Sequence, residues 1–162
     1  MQKIAPLKPF QPQSKSLQIL HVNGCHWIAV STVDCTASTE DIVVYDSKYA
    51  SLSTETKLLL SQLVHTDKPA FTVKVASVTK QSGSADCGVF AIAYITSIAF
   101  GLDPAQYVFN QAAMRPHLQK CFEEKKSHLS QFCERDDHLL LPAQFVLKYT
   151  AIVDALTLEK RW

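Results

Sequence analysis

From Val89 to Phe100 the chain reads Val-Phe-Ala-Ile-Ala-Tyr-Ile-Thr-Ser-Ile-Ala-Phe, a run without a single charge and apolar on nearly every side of a helix. Such a helix has no face to give to water, so it must be the centre around which the rest of the fold packs. Gly101 is placed to end it. The lead-in is Gln81-Ser-Gly-Ser-Ala-Asp86-Cys87-Gly88, small and polar, so a cysteine stands where a loop enters a buried helix. The free amides and partial positive charge of a helix start favour thiolate over thiol, which suits a nucleophile. Gln81, six residues upstream, can turn its side-chain amide toward the same point as the Cys87 backbone amide. Two convergent donors make an oxyanion hole.

A thiolate needs a base. His26-Trp27 opens the run Ile28-Ala29-Val30-Ser31, which reads as a strand, and Ile42-Val43-Val44-Tyr45 reads as a second buried strand ending in Asp46-Ser47. If the two strands are neighbours, His26 and Asp46 stand side by side, and the carboxylate fixes the tautomer of the imidazole and stabilises its cation. Each residue has a plainer reading. A cysteine at the start of an apolar helix is more often an inert small hydrophobe, a histidine beside a tryptophan can be structural, and Asp-Ser after a strand is ordinary turn chemistry. Gln81 rests on its spacing to Cys87 alone. His21 competes as the base but lacks the tryptophan that follows His26, and it is expected to face away from the sheet or stack over it.

His-Trp, then a strand ending in Tyr-Asp-Ser, then Gln81 and Cys87 within Asp-Cys-Gly-Val-Phe, resemble the ubiquitin-like-protein-specific cysteine proteases, the SUMO-protease family. The order His, Asp, Gln, Cys is also that family's, shared with more variation by adenovirus-type proteases and reversed in papain-like enzymes. The resemblance covers about residues 17 to 133. It implies His26, Asp46, Gln81 and Cys87 as the catalytic set and Trp27, Asp86 and Gly88 as substrate-binding residues. In that family a narrow channel flanked by tryptophans takes the extended Gly-Gly terminus of a modifier, and the thiolate attacks the last glycine's carbonyl. Trp27 matches one wall. The opposite wall comes from an upstream lobe, and only 25 residues precede His26 here, so the resemblance implies either that another residue fills that place or that the chain is truncated at its amino terminus, with a weak grip on substrate.

With 162 residues and 47% hydrophobic content the chain can bury one core, and a second domain is not expected. A net charge of +1 gives no reason to expect a nucleic-acid partner. Five cysteines, Cys25, Cys35, Cys87, Cys121 and Cys133, form an odd set without framework spacing or a signal peptide, which reads as a reduced, intracellular protein, nuclear or cytoplasmic. No Cys-x-x-Cys or His-x-x-x-His pair suggests a metal site, and no glycine-rich phosphate loop suggests a nucleotide, so no metal and no cofactor are expected.

Residues 1–16, with Pro6, Pro9 and Pro12, read as a flexible lead-in. Leu17 to Val22 alternates as a strand, and Asn23-Gly24 is a hairpin signal that delivers Cys25-His26 onto the next strand. Ser53 to His65 reads as an amphipathic helix capped by Ser53 or Thr54, and Phe71 to Val78 as a strand feeding the Gln81 loop. Asp103-Pro104 starts a short helix. Met114 to Lys126 reads as a further helix with Pro116 in its first turn and a solvated charged face. The catalytic domain is set at 17–135, and 136–162 is an extension, with a possible helix through Phe145, Tyr149 and Val153 that Lys148 and Asp154 exclude as a membrane span.

The expected architecture is α+β, a cysteine-protease fold with the Cys87 helix packed on a mixed sheet of four or five strands and other helices outside. The expected activity is a cysteine peptidase or isopeptidase, monomeric, cleaving after the terminal Gly-Gly of a ubiquitin-like modifier, SUMO-like first. Two alternatives stay open. An acetyltransferase can use the same His, Asp and Cys through an acyl-thioester, and a truncated module can bind a modifier without cleaving it.

Overall fold

The computed structural model describes residues 15–33, 42–67, 69–124 and 133–134. The expectations for residues 1–14, for Cys35, for Lys125 and Lys126, and for the extension 136–162 lie outside the described residues.

A hairpin starts the fold. Strands β1 (Leu17–Val22) and β2 (His26–Ser31) pair antiparallel with Val22 opposite His26, and Asn23 and Gly24 take φ of 53° and 70° between them. Asparagine and glycine are the residues that tolerate this left-handed region, which explains why the chain reverses there. The loop takes in Cys25 as well, whose N–H donates to the Val22 carbonyl at 3.3 Å. Strand β3 (Ile42–Tyr45) lies antiparallel beside β2, and β4 (Val73–Val75) lies parallel beside β3, giving the order β1-β2-β3-β4. The sheet is mixed and four-stranded, within the expected range. The predicted strand 71–78 is shorter than its alternating pattern suggests. Its one neighbour among the described residues, β3, is four residues long, and beyond the Ala76 N–H bond to Val44 those residues offer no further strand to pair with.

Two apolar clusters lie on the sheet. Helix α1 (Thr54–Leu63) gives Leu60 and Leu63 to a cluster with Leu20, Val22, Ile28, Val30, Ile42 and Val44. Ser53 caps it as the sequence predicts, its hydroxyl accepting from the Thr56 N–H at 3.1 Å and donating to Asn23 Oδ1 at 2.8 Å, which ties the helix start to the hairpin turn. Helix α2 (Cys87–Ala99) builds the second cluster, where Phe90, Ala91, Tyr94 and Ile98 are buried with Ala29 and Tyr45 of the sheet. Phe90 and Tyr94 are fully enclosed. Truncating a buried ring of that size costs about 3–5 kcal/mol, so α2 is the stabilising centre its composition predicts. Gly101, at φ 78°, turns the chain out of the helix.

Beyond α2, Asp103 accepts from the Ala105 N–H at 3.0 Å and starts a single 3-10 turn, Pro104–Gln106. A two-residue strand β5 (Val108–Phe109) pairs antiparallel with β6 (Cys133–Glu134). Helix α3 is a correction to the sequence reading. It spans Gln111–Glu124, so it begins three residues before the predicted Met114, and Pro116 lies inside it and not in its first turn. The start is set by Asn110, whose carbonyl and side-chain oxygen both face the Ala113 N–H, at 3.1 and 3.4 Å. Gln-Ala-Ala after such a cap propagates a helix readily, and Pro116 then removes one backbone donor without ending it.

Candidate active site

The imidazole and the carboxylate come from adjacent strands. His26 begins β2 and Asp46 follows β3, and both are nearly withdrawn from water, 3% and 4% exposed. His26 Nε2 donates to Asp46 Oδ1 at 2.8 Å. A carboxylate only accepts, so the hydrogen resides on Nε2 and Nδ1 is left as the nitrogen that can take a proton. The same Oδ1 accepts from the Lys48 and Tyr49 amides, at 2.7 and 2.9 Å. The Tyr49 ring stands edge-on to the His26 ring, 5.2 Å between centroids.

The turn after Asp46 is fastened to the segment that carries Gln81. Lys80 Nζ donates to the Asp46 carbonyl at 2.7 Å and to the Tyr49 carbonyl at 2.9 Å. The Gln81 N–H donates to the Ser47 carbonyl at 2.8 Å, and the Ser47 hydroxyl donates to Gln81 Oε1 at 2.6 Å. With Oε1 held there, the amide has one orientation. Its Nε2 gives one hydrogen to the Gly83 carbonyl at 3.0 Å, and among the described residues no acceptor takes the second.

Cys87 is the first residue of α2 and 6% exposed; Gly88 is the second. Among the described residues its thiol makes no hydrogen bond, and resting catalytic contacts are often long until substrate is bound. The helix is fastened instead to the segment that carries Gln81. Tyr94, on α2, donates its hydroxyl to the Thr79 carbonyl at 2.6 Å, and burial first, then the Asp46 charge, push that hydroxyl far above the usual phenol range.

Asp86 stands at the N-cap position of α2, where a carboxylate ordinarily accepts from the first helical amides. It makes no such bond. Its Oδ2 accepts from Gln111 Nε2 at 2.6 Å and its Oδ1 from Arg115 Nε at 2.7 Å, both on α3. Partial burial pushes the Asp86 carboxyl up, but the hydrogen bonds from Gln111 and Arg115 and the Arg115 charge outweigh it and hold the group below its ordinary value. Trp27 is half-buried, and its ring lies 4.6 Å from that of His21 across the hairpin. His21 is exposed, and its ring is tilted 44° to that of Trp27.

The structure thus joins His26 to Asp46 directly and Gln81 to the residue after Asp46. The sequence reading missed Ser47, Lys80, Gln111 and Arg115. Ser47 and Lys80 sit beside residues it singled out, which was the available signal; Gln111 and Arg115 share one side of α3 at an i, i+4 spacing that carries no chemistry by itself. Among the described residues no group of three or more His, Cys, Asp or Glu side chains could hold a metal, and no helix is long and apolar enough to cross a membrane. Cys25, Cys87 and Cys121 are free thiols.

A buried imidazole with its carboxylate, a cysteine at a helix start and a glutamine with a spare N–H are the parts of thiol acyl transfer. No curated protein and no solved structure matches the chain. The match is to a family: over residues 7–134 the chain aligns with the C-terminal catalytic domain of the Ulp1 proteases, and it belongs to the Ulp1 protease family.

Proposed function

We propose that this member of a cysteine-protease family cleaves after the terminal Gly-Gly of a ubiquitin-like modifier, SUMO-like in kind, releasing it from protein conjugates or from its precursor. The observation that carries the reading is the buried His26–Asp46 pair at 2.8 Å, with Asp46 oriented by two backbone amides and its turn bonded to Gln81. His26 Nδ1 takes the Cys87 proton, the sulfur attacks the carbonyl carbon of the last glycine, and the oxyanion is held by the spare Gln81 Nε2–H and the Cys87 amide. His26 then gives the proton to the leaving amine. Water, deprotonated by the same imidazole, hydrolyses the thioester and frees the modifier.

Trp27 supplies a wall of the glycine channel. Three free thiols among the described residues suit a reduced compartment inside the cell, in line with the absence of a disulfide framework in the sequence.

The test is a panel of SUMO, ubiquitin and a further ubiquitin-like modifier, each with an electrophile at the terminal glycine, read by mass spectrometry of Cys87. Labelling by SUMO supports the proposal. Labelling by another modifier alone overturns the specificity. No labelling, with formation of an acetyl-thioester from acetyl-coenzyme A, overturns the protease reading in favour of acetyl transfer. No labelling with retained affinity for a modifier marks a binding module.

A further inference from the structure

We propose that Gln111 and Arg115 on α3 are positioning residues that hold Asp86 away from the start of α2, so that the helix-start amides beside Cys87 stay free for the oxyanion. This rests on the acyl-transfer reading given above, and it assigns Asp86 to the architecture of the site and not to contact with the modifier.

The segment from Ser82 to Ala85 is exposed and small in side chain, with Gly83 at φ 77°, so it has no apolar anchor of its own. Two α3 side chains hold it at both ends. The Ser82 N–H donates to Gln111 Oε1 at 2.7 Å and the Ser82 carbonyl accepts from Gln111 Nε2 at 2.9 Å. Arg115 Nη2 donates to the Ala85 carbonyl at 2.8 Å. The remaining Nε2 hydrogen of Gln111 and the Nε–H of Arg115 go to the two oxygens of Asp86, at 2.6 and 2.7 Å. Both hydrogens of the Gln111 amide are thereby used, and so is each Asp86 oxygen.

Asp86 occupies the position from which a carboxylate ordinarily reaches the amides of Gly88 and Val89, but its backbone, at φ −110° and ψ 8°, is outside the extended region that capping residues adopt, so the bonds from α3 hold both its side chain and its backbone away from a cap. Were it to do so, a negative charge would sit against the Cys87 amide. It would compete for helix-start donors and oppose both the thiolate and the developing oxyanion. The five bonds from α3 prevent this. Neither Gln111 nor Arg115 bonds to His26, Asp46 or Cys87, so their effect passes through Asp86 and the loop.

The test uses the full chain with Gln111→Leu and Arg115→Leu combined, with and without Asp86→Ala. Turnover of a glycine-terminated modifier should fall about 100-fold in kcat, the scale of a lost oxyanion donor or a displaced reacting group, with KM within about twofold. Adding Asp86→Ala should recover at least about tenfold of that loss, because the released charge is then gone. Failure of Asp86→Ala to recover activity overturns the proposal, as does a rise in KM with kcat unchanged, which would put Asp86 on the modifier. Thermal midpoints are measured for each variant, and a loss of kcat that merely tracks unfolding at the assay temperature also overturns it. Iodoacetamide labelling of Cys87 keeps the test independent of the modifier. It should slow in the double variant and recover with Asp86→Ala even if the parent cleaves no modifier at all, and unchanged labelling across the three proteins refutes the charge-withholding role.

Discussion

Asp46→Asn is expected to slow this protein far less than Asp46→Ala. In a general triad, asparagine does its damage by turning its amide nitrogen to the histidine and selecting the wrong tautomer. Here one oxygen, Oδ1, accepts from His26 Nε2 and from the Lys48 and Tyr49 amides, all within 2.9 Å. Two backbone donors demand an acceptor at that point, and an amide nitrogen placed there would face three donors. The asparagine oxygen therefore stays on His26, Nε2 keeps its hydrogen, and only the charge is lost. Hydrogen bonds to a charged partner contribute about 1.5–3 kcal/mol and neutral ones about 0.5–1.5, a difference of about 1–1.5 kcal/mol. That corresponds to about a tenfold loss in kcat. Asp46→Ala removes the acceptor for all three donors and frees the ring, so its loss should be at least about 1000-fold. The assay is single-turnover release of a fluorescent leaving group from a glycine-terminated modifier, with folding checked by circular dichroism. Two folded variants that are equally slow would refute the argument that the backbone amides dictate the amide orientation.

Cys87→Ser should fold normally and lose turnover, because a hydroxyl of nearly the same shape is far less acidic; comparable activity would remove Cys87 from the chemistry. His26→Ala should cost about 100- to 10,000-fold in rate while His21→Ala costs little, since His21 is exposed and meets the Trp27 ring at a tilt; equal losses in folded variants would reverse the assignment of the base. Lys80→Met, which removes two bonds to the Asp46 turn from an exposed side chain, should lower stability by about 1 kcal/mol and the melting midpoint by about 2–4 °C. The Asp86 carboxyl is held below its unfolded value, so the stability it lends is present above the ordinary carboxylate range and lost as pH falls through the folded value. The gap in melting midpoint between the parent and Arg115→Gln should accordingly be constant from about pH 5 to 8 and shrink below about pH 4, and a gap that persisted in acid would break the link to Asp86.

The parts of this fold that sequence made legible are those whose cause is local. Asn23-Gly24 can only be a reversal, Ser53 followed by Thr54-Glu55-Thr56 can start α1, and a chargeless helix must be central. The pairing of β2 with β3, and with it the meeting of His26 and Asp46, followed from buried strands that needed neighbours. Helix α3 was read too late because Pro116 was weighed more heavily than Asn110, although the asparagine cap was there to see. The links from Ser47 to Gln81 and from Gln111 and Arg115 to Asp86 had no local cause. They join polar loop and surface residues 25 to 34 positions apart, and no periodicity marks such pairs.

A chain emerging from the ribosome completes the β1–β2 hairpin well before residue 87 exists. At that stage the proposed base, His26, has no nucleophile. When the thiol does appear it remains inert until α2 settles on the sheet and the Ser47–Gln81 bonds close across 34 residues. Under that assignment, cutting power should arrive together with tertiary structure and leave with it. On the reading proposed above, a partly unfolded molecule of this kind is expected to be silent, since base, oxyanion donor and nucleophile are brought together by tertiary structure alone.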